Sequence, residues 1–227
     1  MDIHSHLLPS IDDGSPDLET SILLIRQLQK LGFSEFITTP HIMETIYPNT
    51  EGGILEVLNA TKIALTNAAI TAPFSAAAEY MMDRAFNEKI ERKEIVSLKN
   101  NYVLVEMSYV NPPFNLYEII FRLQVAGYQP ILAHPERYSF YHSKLKDFKK
   151  LKNAGCLFQM NLLSTVGYYG ADVSKTADYL LKNALVDFVG SDVHHQKHID
   201  SFYKKIVLKN YDKLPQLIEN NLIFSKK

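Results

Sequence analysis

Short apolar runs alternate with longer amphipathic stretches along most of this chain, and nearly every run stops at a histidine or a carboxylate. Leu18 to Leu31 places apolar side chains at Leu18, Ile22, Ile25, Leu28 and Leu31, a helical period, and Gly32 stops it. Glu35 to Thr39 then reads as a buried strand running into Pro40-His41. The cycle repeats: a helix around Ile54 to Ala69 and a strand ending at Ala76-Ala77-Ala78-Glu79; the strand Tyr102 to Val105 ending at Glu106; a helix across Leu116 to Ala126; the strand Gln129 to Ala133 ending at His134-Pro135. A helix near Leu145 to Asn153, the strand Cys156 to Met160, a helix around Val173 to Asn183 and the strand Val186 to Val189, ending at Gly190-Ser191-Asp192, complete the pattern before two last helical stretches. With Met1 to Ile3 as the first strand, seven βα cycles are expected, hence parallel strands joined by right-handed crossovers. An open doubly wound sheet stays possible, but no G-x-G-x-x-G follows any strand to support a dinucleotide site. In a parallel barrel the carboxyl ends of the strands share one mouth, so the polar residues at those ends would converge.

The 227 residues suit a single domain over 1–227, with no linker, repeat or low-complexity stretch. A formal charge of −1 argues against a nucleic-acid binder working through a broad basic face. One cysteine, Cys156, excludes a disulfide framework and a Cys-rich zinc site. No apolar run is long enough to span a bilayer and the start has no signal-peptide pattern, so a soluble, cytoplasmic protein is expected.

His4 and His6 form an H-x-H pair, and alternate residues of an extended strand point the same way, which lets both imidazoles reach one ion. Asp12-Asp13-Gly14 alone reads as turn chemistry leading into a helix. Thr39-Pro40-His41 and His134-Pro135-Glu136-Arg137 each set a histidine beside a proline, which restricts the backbone. Glu79 and Glu106 follow the apolar runs A-A-A and V-L-V, where a carboxylate is costly unless paired or bound to a cation. Asp192-Val193-His194 adds a D-x-H pair. With no thiolate, the ligand set suits Mn²⁺, Zn²⁺ or Fe²⁺ and is too rich in nitrogen for Ca²⁺ or Mg²⁺. Arg137 offers a fork of donors for a phosphoryl or carboxylate group, the bland alternative being an ion pair with Glu136 or Asp147. Cys156 reads as a core residue, since a C-x₅-R phosphatase motif would need an arginine where Leu162 stands.

In this order, D-x-H-x-H, D-D-G, T-P-H, two glutamates, H-P-E-R and S-D-x-H resemble the PHP (polymerase and histidinol phosphatase) superfamily. D-I-H-S-H-L-L-P-S-I-D-D-G, H-P-E-R-Y and N-L-L-S-T-V-G-Y-Y-G are similar to its capsule and exopolysaccharide branch of metal-dependent tyrosine phosphatases. The resemblance runs from Asp2 to about His194. It implies a distorted (βα)₇ TIM-like barrel and three divalent metal ions, Mn²⁺ first. The first ion would take His4, His6, Glu79 and Asp192; Glu79 would bridge to a second held by Glu106 and His134; Asp13, His41 and His194 would hold the third. Family members often carry an arginine after the D-x-H motif, where this chain has His195-Gln196-Lys197-His198-Ile199, leaving Lys197 or His198 to substitute or Arg137 to bind phosphate alone. The first candidate ligand follows Met1 by three residues, which leaves either a very short first strand or a missing upstream segment.

The implied reaction is hydrolysis of phosphotyrosine by in-line attack of a hydroxide bridging two ions, with no covalent enzyme intermediate. Three divalent ions against the carboxylates of Asp13, Glu79, Glu106 and Asp192 leave a net charge of +2, suited to a phosphate dianion. The implied substrate is a phosphotyrosine protein, the tyrosine-rich tail of a cognate bacterial kinase, with no nucleic-acid partner and no membrane insertion. Two other readings stand beside it: a phosphomonoesterase of the histidinol-phosphatase type, and a non-catalytic metal-binding scaffold.

Overall fold

The structure, a computed structural model, describes residues 1–225. Its strands are β1 (Phe36–Thr38), β2 (His41–Ile42), β3 (Phe74–Ala76), β4 (Glu79–Met81), β5 (Tyr102–Glu106), β6 (Gln129–Ala133), β7 (Leu157–Asn161) and β8 (Phe188–Gly190). The helices are α1 (Leu18–Lys30), α2 (Glu51–Asn67), α3 (Arg84–Arg92), α4 (Leu116–Val125), α5 (Phe148–Asn153), α6 (Ala171–Lys182), α7 (Gln196–Ser201) and α8 (Leu214–Asn220). The result is an α/β fold on parallel strands, in the order β1-β3 and β2-β4-β5-β6-β7-β8.

The two sheets meet at breaks within single runs of chain. Thr39-Pro40 separates β1 from β2, and Ala77-Ala78 separates β3 from β4, yet Ala77 N donates to Thr38 O and Glu79 N to Pro40 O across the gap. Proline has no N–H to give, so the ladder pauses there without ending. The expected first strand over Met1 to Ile3 is reduced to isolated pairings. Asp2 pairs with Phe36 on one side and Ser5 with Val193, just beyond β8, on the other. Residues 2–6 thus stand between the first and last strands.

Strand residues alternate between two cores. Val103, Val105 and Leu132 face the helices, whereas Leu104 and Ile131 share a smaller core with Ile3, Ile37 and Phe188 from both ends of the strand order. Asp17 caps α1 by accepting from Thr20 N at 2.7 Å. The buried face of α1 is Ser21, Leu24, Ile25 and Leu28, rotated from the expected stripe, and Leu18 is exposed. Helix α3 was not apparent in the apolar pattern because it buries only Phe86 and Ile90 among charged residues. The helix expected from Leu145 begins as a tight 3-10 turn at Leu145–Asp147.

No helix among the described residues is long and apolar enough to cross a membrane.

Candidate metal centre

The nine residues read as ligands gather in one region: Glu106 ends β5 and His134 and Asp192 follow β6 and β8, whereas His41 and Glu79, expected to end strands, open β2 and β4 just past the breaks in the ladder, and the backbone is shaped to aim them. His134 (φ +35°) and Asp192 (φ +51°) are left-handed non-glycine residues, a conformation costing on the order of 1–2 kcal/mol. Short backbone bonds hold both turns, from His134 N to Gln159 O and from Asp192 N to His4 O, each 2.7 Å.

The tightest cluster joins His4 Nε2, His6 Nε2, Glu79 Oε2 and Asp192 Oδ1. Glu79 Oε2 lies 3.2 Å from His4 Nε2 and 3.5 Å from His6 Nε2, Asp192 Oδ1 lies 3.4 Å from each imidazole, and the two nitrogens are 3.4 Å apart. Separations of this size are those expected between donor atoms about 2.0–2.1 Å from a shared first-row divalent ion, and the donors fall into two overlapping groups, His4, His6 and Asp192, and His4, Glu79 and His134. His134 Nε2 meets the other Glu79 oxygen at 3.0 Å. His41 spans two groups: its Nδ1 lies 3.1 Å from Glu79 Oε2 and 2.9 Å from Glu106 Oε1, and its Nε2 3.3 Å from Asp13 Oδ1. His194 Nε2 stands 3.5 Å from the same Asp13 oxygen. The implied third set is therefore assembled, while His41 also faces the carboxylates assigned to the second.

His41 Nδ1, Glu79 Oε2, Glu106 Oε1 and His134 Nδ1 are buried yet make no hydrogen bond of normal geometry. Buried polar atoms crowded together without hydrogen-bond partners are what a cation site holds and a hydrogen-bonded core avoids. Burial, with the charge of Glu79 next, pushes Glu106 up to about 7. Burial works against a charged His41, but Glu79, Asp13 and Glu106 together carry it up to about 10. Burial and the neighbouring Arg137 push His134 down to about 4. The residues present thus fit divalent ions by donor type, spacing and unmet polar atoms.

A cavity of about 670 Å³ opens over this cluster, with His41, Glu106, His134, Asp192 and His194 on its floor and Tyr47, Tyr109, Arg137, Tyr169 and His198 among its walls. Arg137 pairs with neither Glu136 nor Asp147. Its Nη1 donates to Asp192 Oδ2 at 2.8 Å, Glu136 is turned inward to accept from Asn161 N and Ser164 Oγ, and Asp147 pairs with Lys150. His198 is buried against the cavity, its Nδ1 3.2 Å from both His194 N and the Asp192 carbonyl, and burial with its histidine neighbours pushes it down to about 3. Lys197 is exposed and outside the cavity lining. Successive helical residues differ by about 100°, so α7 turns His198 inward and Lys197 to solvent. Cys156 is buried in the core, and burial pushes its thiol up to about 12.

The model of the family described as capsular polysaccharide synthesis, CpsB/CapC, matches residues 1–213. The chain belongs to the CpsB/CapC family. Among relatives of this CpsB/CapC protein, the putative tyrosine-protein phosphatase CapC of Staphylococcus aureus is 27% identical over 240 residues, covering 100% of this chain and 93% of the relative. The tyrosine-protein phosphatase CpsB of Streptococcus pneumoniae is 30% identical over 203 residues, covering 86% and 83%. A chain from the crystal structures described as YwqE from Bacillus subtilis and CpsB from S. pneumoniae, unique metal-dependent tyrosine phosphatases, superposes with a TM-score of 0.83 at 25% identity, covering 96% of this chain and 94% of that one.

Three contributors behind the ligands were not singled out from sequence. Asp12 Oδ2 sits 2.7 Å from His6 Nδ1 and also accepts from His41 N at 3.1 Å, while its Oδ1 accepts from Gly14 N at 2.9 Å. Gln159 Oε1 lies 2.6 Å from His4 Nδ1. Each turns an imidazole so that its Nε2 faces the cluster. Asn161 donates to Asp192 Oδ2 at 2.6 Å. Asp12 looked like a turn residue and Gln159 was hidden inside a strand run, while Asn161, directly after the expected strand Cys156 to Met160, was a usable signal.

Proposed function

We propose that this CpsB/CapC protein hydrolyses phosphotyrosine on protein substrates, its substrate being the tyrosine-rich tail of a bacterial tyrosine kinase that serves capsule or exopolysaccharide synthesis. The observation that carries the reading is the close approach of His4 and His6 to both Glu79 and Asp192, with Glu79 offering its second oxygen to His134. The naming of its relatives as tyrosine phosphatases supports the substrate class. The pairings of residues 2–6 with both end strands, and the inner core shared across the sheet, support a distorted (βα)₇ barrel forming one domain over 1–227. We place the protein in the cytoplasm, where its single buried thiol is in keeping.

His4, His6, Glu79 and Asp192 would hold one ion; Glu79, Glu106 and His134 a second; Asp13, His41 and His194 a third. Mn²⁺ is the expected metal, with Fe²⁺ or Zn²⁺ as substitutes. When bound, such ions supply Lewis acidity toward phosphoryl oxygens and lower the pKa of water at neutral pH. Arg137 holds the phosphoryl oxygens from the cavity wall, and His198 lines the same wall. Tyr47, Tyr109 and Tyr169 line the cavity and offer ring faces to an aryl group. Tyrosinate leaves with a conjugate-acid pKa of about 10, so the absence of a strong acid from the ligand set does not bar the reaction. Cys156, buried and protonated, is no nucleophile.

The test pairs elemental analysis of the purified protein with turnover of a phosphotyrosyl peptide and of histidinol phosphate. Exhaustive chelation should abolish hydrolysis, Mn²⁺ should restore it, and the peptide should be preferred at least about tenfold. Turnover that survives chelation, or a preference for histidinol phosphate, would overturn the reading.

A further inference from the structure

The segment N-L-L-S-T-V-G-Y-Y-G (161–170) contributes none of the proposed metal ligands, yet Tyr169 lines the cavity and Asn161 bonds the ligand Asp192. Asn161 ends β7 and is fully buried. Gly167 (φ +74°) and Gly170 (φ +96°) bracket Tyr168-Tyr169, and these left-handed positions turn the chain back so that Tyr169 joins the cavity wall. The guanidinium of Arg137 lies over two rings, its Cζ 4.2 Å from the centroid of Tyr169 and 4.6 Å from that of Tyr109. Asn161 Nδ2 ties this wall to the floor, donating to Tyr169 Oη at 3.0 Å and to Asp192 Oδ2 at 2.6 Å, the oxygen that also accepts from Arg137 Nη1.

We propose that Tyr169, together with Tyr109, is a positioning residue that clamps the Arg137 guanidinium in one plane, so that its in-plane donors meet the phosphoryl oxygens without a search among rotamers. The inference rests on the phosphomonoesterase reading above and adds to it the means by which Arg137 is held ready at the cavity wall. An arginine side chain is long and mobile, and its fork is useful only when its plane is fixed. Two rings within 4.6 Å of the guanidinium limit how it can turn, and the bond to Asp192 fixes one of its donors. Asn161 keeps the Tyr169 ring in register with Asp192, so the clamp and the cluster move as one unit.

The test measures kcat and KM for p-nitrophenyl phosphate, and Ki for inorganic phosphate, in Tyr169→Leu and Tyr169→Phe, each made in the wild type and in Arg137→Ala. Metal content and Tm are recorded for every variant. Tyr169→Leu fills the space without a π face and should raise KM and phosphate Ki about threefold to thirtyfold, with metal content unchanged. Tyr169→Phe keeps the face but loses the bond from Asn161, and should be impaired by about twofold, less than leucine. In Arg137→Ala the leucine change should shift neither constant by more than about twofold, because its effect passes through the missing guanidinium. Equal losses in both backgrounds, a phenylalanine variant as impaired as leucine, or a leucine variant like the wild type would each overturn the clamp. If Tyr169→Leu fails to fold, Tyr109→Leu applies the same test from the other ring. A wild type with no phosphomonoesterase activity instead overturns the reading beneath it.

Discussion

Asp12 is the most informative residue to change, because it touches two candidate ligands without being one. Its buried carboxylate fixes His6 through the 2.7 Å contact at Nδ1 and His41 through the backbone N–H, and Gly14 N–H occupies the other oxygen. In Asp12→Asn a single carbonyl oxygen must choose. Facing His6 and His41 it keeps both and abandons Gly14; turned round it keeps Gly14 and abandons both, so the first arrangement prevails. Asp12→Ala abandons all three. Loss of a group orienting a metal-bound histidine costs about 10–100-fold in metal affinity, or about 1.4–2.8 kcal/mol, which agrees with about 1.5–3 kcal/mol for a hydrogen bond to a charged group. The expected order is wild type, then Asp12→Asn weaker by about tenfold, then Asp12→Ala by about a hundredfold. Competition with a chromophoric chelator reads the affinity, and ¹⁵N NMR of the imidazoles reads the His6 tautomer. Wild-type affinity in Asp12→Ala would refute the claim that this carboxylate sets the His6 nitrogen facing the cluster.

Two further outcomes follow from the packing. Cys156→Ser should leave turnover within about twofold, and the native thiol should resist a maleimide at pH 8. The sign is that of an acid raised by burial to about 12 in the folded chain: its ionisation penalises folding only as pH climbs past the unfolded value of about 8.5, and rapid labelling at pH 8 would contradict it. Gly190→Ala would place a Cβ 2.6 Å from His4 Cβ and 2.7 Å from Gln159 Nε2, neither free to move without shifting the cluster. It should cost about 1–3 kcal/mol, lowering Tm by about 2–10 °C and weakening metal binding, and an unchanged Tm would show the site more yielding than its geometry implies.

How far the sequence could be read depended on whether a feature was local. Strands β5, β6 and β7 were legible because each is a continuous buried run with a polar residue at its end, and helices α1, α2, α4 and α6 because their period is long. Helix α3 was not, since Phe86 and Ile90 are too few to set a period. Residues 2–6 could not be weighed locally at all: their partners, Phe36 and Val193, lie far away in the chain. The same holds for Arg137, whose nearest acidic neighbours in sequence are not its partner; Asp192, 55 positions on, is.

The chain of amino acids alone determined which chemical groups were available and that they would gather in one region, because strand direction and the alternation of side chains are properties of short segments. Only the tertiary structure decided how those groups face one another: that Glu79 turns its two oxygens to different histidines, that His41 presents both nitrogens, and that Asp12, Gln159 and two tyrosine rings set the angles. Such orientations arise from contacts between segments far apart in sequence, and no local pattern encodes an angle that a distant neighbour imposes.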